Sequence, residues 1–273
     1  MTRLILFTSM LMLLLSVYAC QTDSKNSANS KNPEQSSLTD TSAEKKGIEY
    51  LDKCIAAHGG LDTWNKFVGL SYVVENNGRS LNQLTHLKDR RTYAKSDNFE
   101  LGSDGKRVWV TPNADKVPGK SAAFYYNLDF YFIAIPFVLK DPGVNVTYMG
   151  KATPDGETYD LLKISYGEGV GLSAKDLYFL YLDPTSHQLR ILTYTVSYFD
   201  KTNDKVNSAK IYQDYQDIQG IRMPAKMASY RWIDGKLGDN SNRDRIISNY
   251  KFHEKILDES IFEVPKGAVT EAL

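Results

Sequence analysis

Three hydrophobic patterns follow one another along the chain. Ile48, Leu51 and Ile55 recur at helical spacing behind Thr41-Ser42-Ala43-Glu44, a capping box, and Gly59-Gly60 supplies residues that tolerate the left-handed end of a helix. Asp62 then predicts the cap of a short second helix that brings Leu61, Trp64 and Phe67 to one side. From Leu70 the period falls to two. Candidate strands cover 70–76, 82–95, 98–102, 106–111, 144–150, 158–166, 176–182, 188–200, 207–216, 222–234 and 243–256, with turn signals such as Ser103-Asp104-Gly105, Pro154-Asp155-Gly156 and Asp234-Gly235 between them. Within 188–199, Leu192, Tyr194, Val196 and Tyr198 share one face, while Thr193, Thr195 and Ser197 share the other. That alternation describes an antiparallel sheet with one buried and one wet face. Residues 176–182 are apolar on both faces, which predicts cover on both sides. About eleven such strands curl into a barrel or a half-open one.

The third pattern, residues 121–143, interrupts the strands. It carries Phe124, Tyr125, Tyr126, Phe130, Tyr131, Phe132 and Phe137, and its only charge before Lys140 is Asp129. Asn127, Asp129 and Pro136 break the apolar run, so a membrane span is not expected. Pro136 forbids a regular strand interior or an unkinked helix, and Asp141-Pro142-Gly143 returns the chain to strand. The expectation is a helix over about 123–134 and a loop, packed onto the concave face of the sheet. Its aromatics either fill the core or line a ligand site, and a cavity beneath them distinguishes the two.

The chain ends change the picture. Arg3 and the apolar run Leu4–Val17 read as an export signal over residues 1–19, too short to span a membrane comfortably. Val17-Tyr18-Ala19-Cys20 resembles a lipobox, in which Cys20 becomes a lipidated N-terminus; ordinary cleavage after Ala19 is the alternative. Residues 20–43 read as a polar tether whose one large apolar residue is Leu38, and 44–273 as a single domain. With Cys20 lipidated, Cys54 has no disulfide partner and is expected as a small core residue. The implied location is the periplasmic face of the outer membrane, anchored by lipid. Lys and Arg number 33 against 33 Asp and Glu, so the charge balance argues against a nucleic-acid partner. No oligomeric state is assigned.

Catalytic patterns are sparse. His58, His86, His187 and His253 show no metal-binding pair spacing, and no G-x-S-x-G elbow occurs. Gly167-Glu168-Gly169-Val170-Gly171 precedes a strand where a nucleotide loop needs a helix, so it reads as a hairpin loop. Carboxylates such as Glu157 and Asp183 show no paired arrangement. No enzyme activity, cofactor or metal is expected.

Several segments, in order, resemble the LolA/LolB/LppX-like superfamily of bacterial envelope proteins, and look closest to a Bacteroidota lipoprotein family of unassigned function. They are 57–64 (Ala-His-Gly-Gly-Leu-Asp-Thr-Trp), 108–110 (Val-Trp-Val), 125–143, 181–185 (Tyr-Leu-Asp-Pro-Thr), 220–224 (Gly-Ile-Arg-Met-Pro) and 262–267 (Phe-Glu-Val-Pro-Lys-Gly). The resemblance implies an α+β, mainly antiparallel fold: a half-open, unclosed β-barrel of about eleven strands with a helical plug or lid. It further implies that the hydrophobic interior holds an acyl chain, a lipid or a lipoprotein client. The expected lining is Phe124, Tyr126, Phe130, Phe132, Ile133 and Phe137, with Trp109 and Trp232 as further wall residues. The competing reading is a non-enzymatic interaction or sensor module with a filled core.

Overall fold

The structure, a computed structural model, describes residues 33–117, 121–167 and 175–273, with side chains from Thr41 onward. The export signal, Cys20 and most of the Gly167–Gly171 loop lie outside the described residues. Helix α1 runs Pro33–Ala57. It is therefore already under way at Thr41, and part of the expected tether is helical. Proline suits a first helical position, where its missing N–H has no intrahelical acceptor to lose. The buried face of α1 is Gly47, Leu51, Cys54 and Ile55, whereas Ile48 is 49% exposed. Gly47 replaces Ile48 on the packed face because α1 lies directly on sheet backbone: a Cβ there would sit 2.6 Å from the Val146 carbonyl oxygen.

Helix α2 (Leu61–Asn65) starts from Gly60 without a side-chain cap, so Asp62 lies in its first turn rather than capping it. Between α1 and α2 the chain docks on the sheet. Arg222 N–H donates to the His58 carbonyl at 2.9 Å, and at Gly59 (φ +111°) a Cβ would fall 2.1 Å from the Gly220 carbonyl oxygen. Only glycine fits that approach and that φ.

Fourteen strands follow among the described residues. β1 (Gly69–Asn76), β2 (Arg79–His86), β3 (Thr92–Lys95), β4 (Glu100–Ser103) and β5 (Arg107–Thr111) precede the aromatic stretch. After it come β6 (Val144–Ala152), β7 (Tyr159–Tyr166), β8 (Tyr178–Leu182), β9 (Leu189–Tyr194), β10 (Ser208–Ile218), β11 (Ile221–Ile233), β12 (Lys236–Asn240), β13 (Arg245–His253) and β14 (Val269–Ala272). The expected run 82–95 divides into β2 and β3 at a turn where Arg90 takes φ +65°. β12 and β14 are additional to the strands read from periodicity. All belong to one antiparallel sheet in the order β14-β5-β4-β3-β2-β1-β13-β11-β10-β9-β8-β7-β6, with β12 paired to β11. Among the described residues the end strands β14 and β6 do not pair, so the sheet stays unclosed. No described helix is long and apolar enough to cross a membrane.

Strand alternation sorts the side chains. On β8, Tyr178, Leu180 and Leu182 face the main core. Phe179 and Tyr181 face a second cluster with Tyr159, Ile191 and Trp232. This is the two-sided cover that its apolar pattern predicts.

Candidate functional site

The aromatic stretch forms α3 (Ala122–Tyr125) and α4 (Leu128–Ala134), with a cis Ile135–Pro136 peptide and a 3-10 turn at Phe137–Lys140. The single expected helix is broken at Asn127 (φ −127°, ψ 10°), which is drawn down onto the sheet. Its Oδ1 accepts from Thr92 Oγ1 at 2.5 Å, and its Nδ2 donates to the Arg90 carbonyl at 2.8 Å. Gln83 and Thr85 reach the same Oδ1 at 3.4 Å. Removing the amide by Asn127→Ala leaves these polar groups short of partners and is expected to cost about 1–3 kcal/mol of stability. Urea unfolding measures it; a loss of a few tenths of a kcal/mol would sink this reading.

The start of α3 is held from both sides. Ser121 Oγ accepts from Phe124 N–H at 3.3 Å, and the Glu271 carboxylate on β14 accepts from Ala122 and Ala123 N–H at 3.2 and 2.9 Å. Asp129, the one charge of the stretch before Lys140, pairs with Arg245 of β13, Nε to Oδ1 at 2.8 Å. Tyr212 donates to the Phe132 carbonyl at 2.8 Å, and Lys140 bridges to Asp52 of α1 at 2.7 Å. The stretch is thus a plug fixed to α1, β10, β13 and β14.

Beneath the plug the interior is packed. Phe130, Ile133 and Phe137 are at most 3% exposed, and Phe137 stacks on Trp64 with centroids 4.4 Å apart. The open space lies at the plug's flank. A partly enclosed cleft of about 1100 Å³ is bounded by α3–α4, the β1–β2 hairpin and the ends of β9, β10 and β11. One wall is aromatic: Tyr178 and Tyr194 stack at 5.9 Å, and Phe132 lies 5.0 Å from Tyr194. At the mouth Phe124 packs 4.8 Å from Phe199, which is 59% exposed. Lys210, Ser229, Arg243 and Arg245 also line the cleft.

Of the expected lining residues, Phe124 and Phe132 border this cleft. Phe130, Ile133 and Phe137 belong to the main core, and Tyr126 packs partly buried beside Leu101, Val108 and Val110. Trp109 is separated from them by strand parity: Val108 and Val110 join the plug-side cluster, while Trp109 turns to the other face and donates to the Phe262 carbonyl at 3.3 Å. Trp232 lies in the outer cluster with Tyr181, 5.6 Å away. The cationic wall was missed, although one signal exists. Lys210 has the parity of Tyr212, a core-facing position of β10, where an ammonium is out of place unless it serves something.

The other residues weighed from the sequence have structural duties. Leu189 N–H donates to His58 Nε2 at 3.3 Å, so the His58 proton is on Nδ1, facing the Arg222 carbonyl at 3.1 Å. Burial lowers the His58 pKa to about 4, with the Arg222 carbonyl bond opposing it. Cys54 is fully buried, which pushes its thiol pKa up and away from reactivity. The Asp183 carboxylate closes its own turn by accepting from Thr185 and Ser186 N–H at 3.0 and 2.7 Å. Among the described residues, no three His, Cys, Asp or Glu side chains converge as metal ligands.

An unclosed antiparallel sheet, plugged by helices on its concave side and with a cleft at the plug's flank, makes a half-open barrel. Residues 101–243, just over half of the chain, match the Family of unknown function (DUF6503), and the chain belongs to that family. No curated protein matches the chain. Among solved structures it is similar to a DUF1329 family protein from Desulfovibrio piger, at 14% identity and TM-score 0.48. It is also similar to a LolA superfamily protein from Nitrosomonas europaea, at 10% identity and TM-score 0.49. Each likeness covers 80% of this chain and 97% of the other. Likeness at this level defines neither ligand nor activity.

Proposed function

We propose that the chain is a non-enzymatic binding protein that takes an acyl chain, of a lipid or of a lipidated client, into the cleft beside the plug. The observation that carries this is a space of about 1100 Å³ whose aromatic wall reaches a partly exposed aromatic mouth. Ligand pockets are commonly about 300–1,000 Å³; this cleft is close to that size and joins an aromatic wall to a largely polar and cationic one, as an amphiphile requires. Lipidation at Cys20 would hold the domain at the periplasmic face of the outer membrane, where such ligands are presented.

The packed interior beneath the plug favours a second reading for that part of the molecule, an interaction module with a filled core. The two separate on one titration. Purified full chain is expected to bind a fluorescent long-chain fatty acid, and Phe132→Asp, which places a charge on the aromatic wall, is expected to abolish the signal. No binding by the wild-type chain would leave the interaction module standing.

A further inference from the structure

Lys210 is 4% exposed, yet it borders the cleft. Its ammonium has three donors, and the structure gives it one hydrogen bond, to Ser229 Oγ at 2.6 Å. That serine is itself held, donating to the Arg243 carbonyl at 2.6 Å while its N–H donates to Asp244 at 2.8 Å. The nearby acids are committed elsewhere. Asp129 is taken by Arg245, Asp176 accepts from Thr195 Oγ1 and Ser197 N–H at 3.0 and 2.7 Å, and Asp244 bridges to Lys226 at 3.5 Å. Among the described residues, no carboxylate pairs with Lys210.

A buried ammonium with no directly paired carboxylate is costly, and burial, with Arg245 alongside, draws its pKa down to about 7 against the more distant pull of Asp129 and Asp244. Lys210 also lies 5.8 Å from the centroid of the Phe132 ring, so the cationic and aromatic walls meet at one point. Arg243 and Arg245 border the same cleft.

We propose that Lys210, positioned by Ser229 and supported by Arg245, binds the anionic head of an amphiphile whose apolar tail lies along Phe132, Tyr194 and Tyr178. The head is an oxyanion, a carboxylate or a phosphate, and it supplies the direct ion pair that Lys210 lacks. This assignment presupposes that the cleft binds acyl chains and adds the class of head group.

Calorimetric titration of the purified full chain with decanoate, decyl phosphate, decanol and inorganic phosphate tests it. Decanoate, decyl phosphate or both are expected to bind about 10- to 100-fold more tightly than decanol, the span for a charge-assisted hydrogen bond. Lys210→Met, which exchanges a buried charge for an apolar side chain of similar length and need not destabilise the fold, is expected to erase that preference, bringing the two anions to the affinity of decanol. Retained decanol binding also shows that the variant is folded. Equal affinities for decanol and the two anions, or a preference that survives in Lys210→Met, would overturn the head-group assignment while leaving the acyl-chain reading intact. Inorganic phosphate binding as tightly as decyl phosphate would overturn it in favour of a free-anion site. Failure of every alkyl compound to bind would overturn the acyl-chain reading itself.

Discussion

Phe137→Ala is expected to destabilise the chain by about 3–5 kcal/mol, the usual cost of truncating a buried phenylalanine in a core that cannot fully collapse. Phe137 is 3% exposed and lies parallel to Trp64, with an interplanar angle of 4°. Trp64 in turn meets Phe252 edge-on at 5.7 Å, so the ring pair links the plug to α2 and β13. The space left by alanine is bounded by elements held independently, by Lys140–Asp52 on one side and the Tyr212–Phe132 hydrogen bond on the other. Those ties oppose relaxation into the void. Phe137→Leu keeps much of the volume and is expected to cost markedly less. Urea unfolding of the purified chain measures both. Equal and small losses would show that the plug rests on the sheet without filling it.

Acidification below pH 6.5 is expected to remove about 3 kcal/mol of stability through His58 alone. The folded pKa of about 4 lies below the ordinary histidine value of 6.5. The unfolded chain therefore binds the proton more readily, and stability falls as the pH drops from 6.5 to about 4. Above pH 6.5 the contribution is fully present, because both states are neutral. Each unit of pKa difference is worth about 1.4 kcal/mol, which sets the size. Carboxylates add their own acid dependence, so the informative quantity is the difference between wild type and His58→Gln. Unfolding midpoints at pH 7.5, 5.5 and 4.5 should converge for the two proteins as the pH falls. Parallel profiles would contradict the neutral, Nδ1-protonated histidine that Leu189 N–H and the Arg222 carbonyl require.

Much of the architecture was legible because strand and helix periods depend on local alternation. The expected strands from Leu70 onward correspond to β1–β11 and β13, apart from one misplaced join. That join, 82–95, failed because Leu87-Lys88-Asp89-Arg90 contains no glycine or proline to announce a turn, and Arg90 supplies the positive φ itself. β14 carries little apolar signal; its role is to pair with β5 and to place Glu271 at the start of α3. The plug was legible as a plug, with its break at Pro136, but not its second break at Asn127. That break follows from hydrogen bonds to Thr92 and Arg90, residues on another part of the sheet.

The lining was only partly legible, and parity explains why. Trp109 and Trp232 are large and aromatic, which marks burial but not the face on which a residue is buried. The face follows from the register of the whole sheet, and that puts Trp109 against Phe262 and Trp232 against Tyr181. Sequence by itself determined the class of fold, the existence of the plug, and the two-sided burial of residues 178–182, because each depends on local spacing of apolar side chains. Tertiary structure decided that the plug's inner aromatics are core, that a cleft lies at its flank, and that Lys210, Ser229, Arg243 and Arg245 border that cleft together with Phe132. Lys210 and Ser229 meet across the β10–β11 hairpin, but Arg245 and Phe132 join them only through the pairing of β11 with β13 and the docking of the plug, which no local pattern encodes.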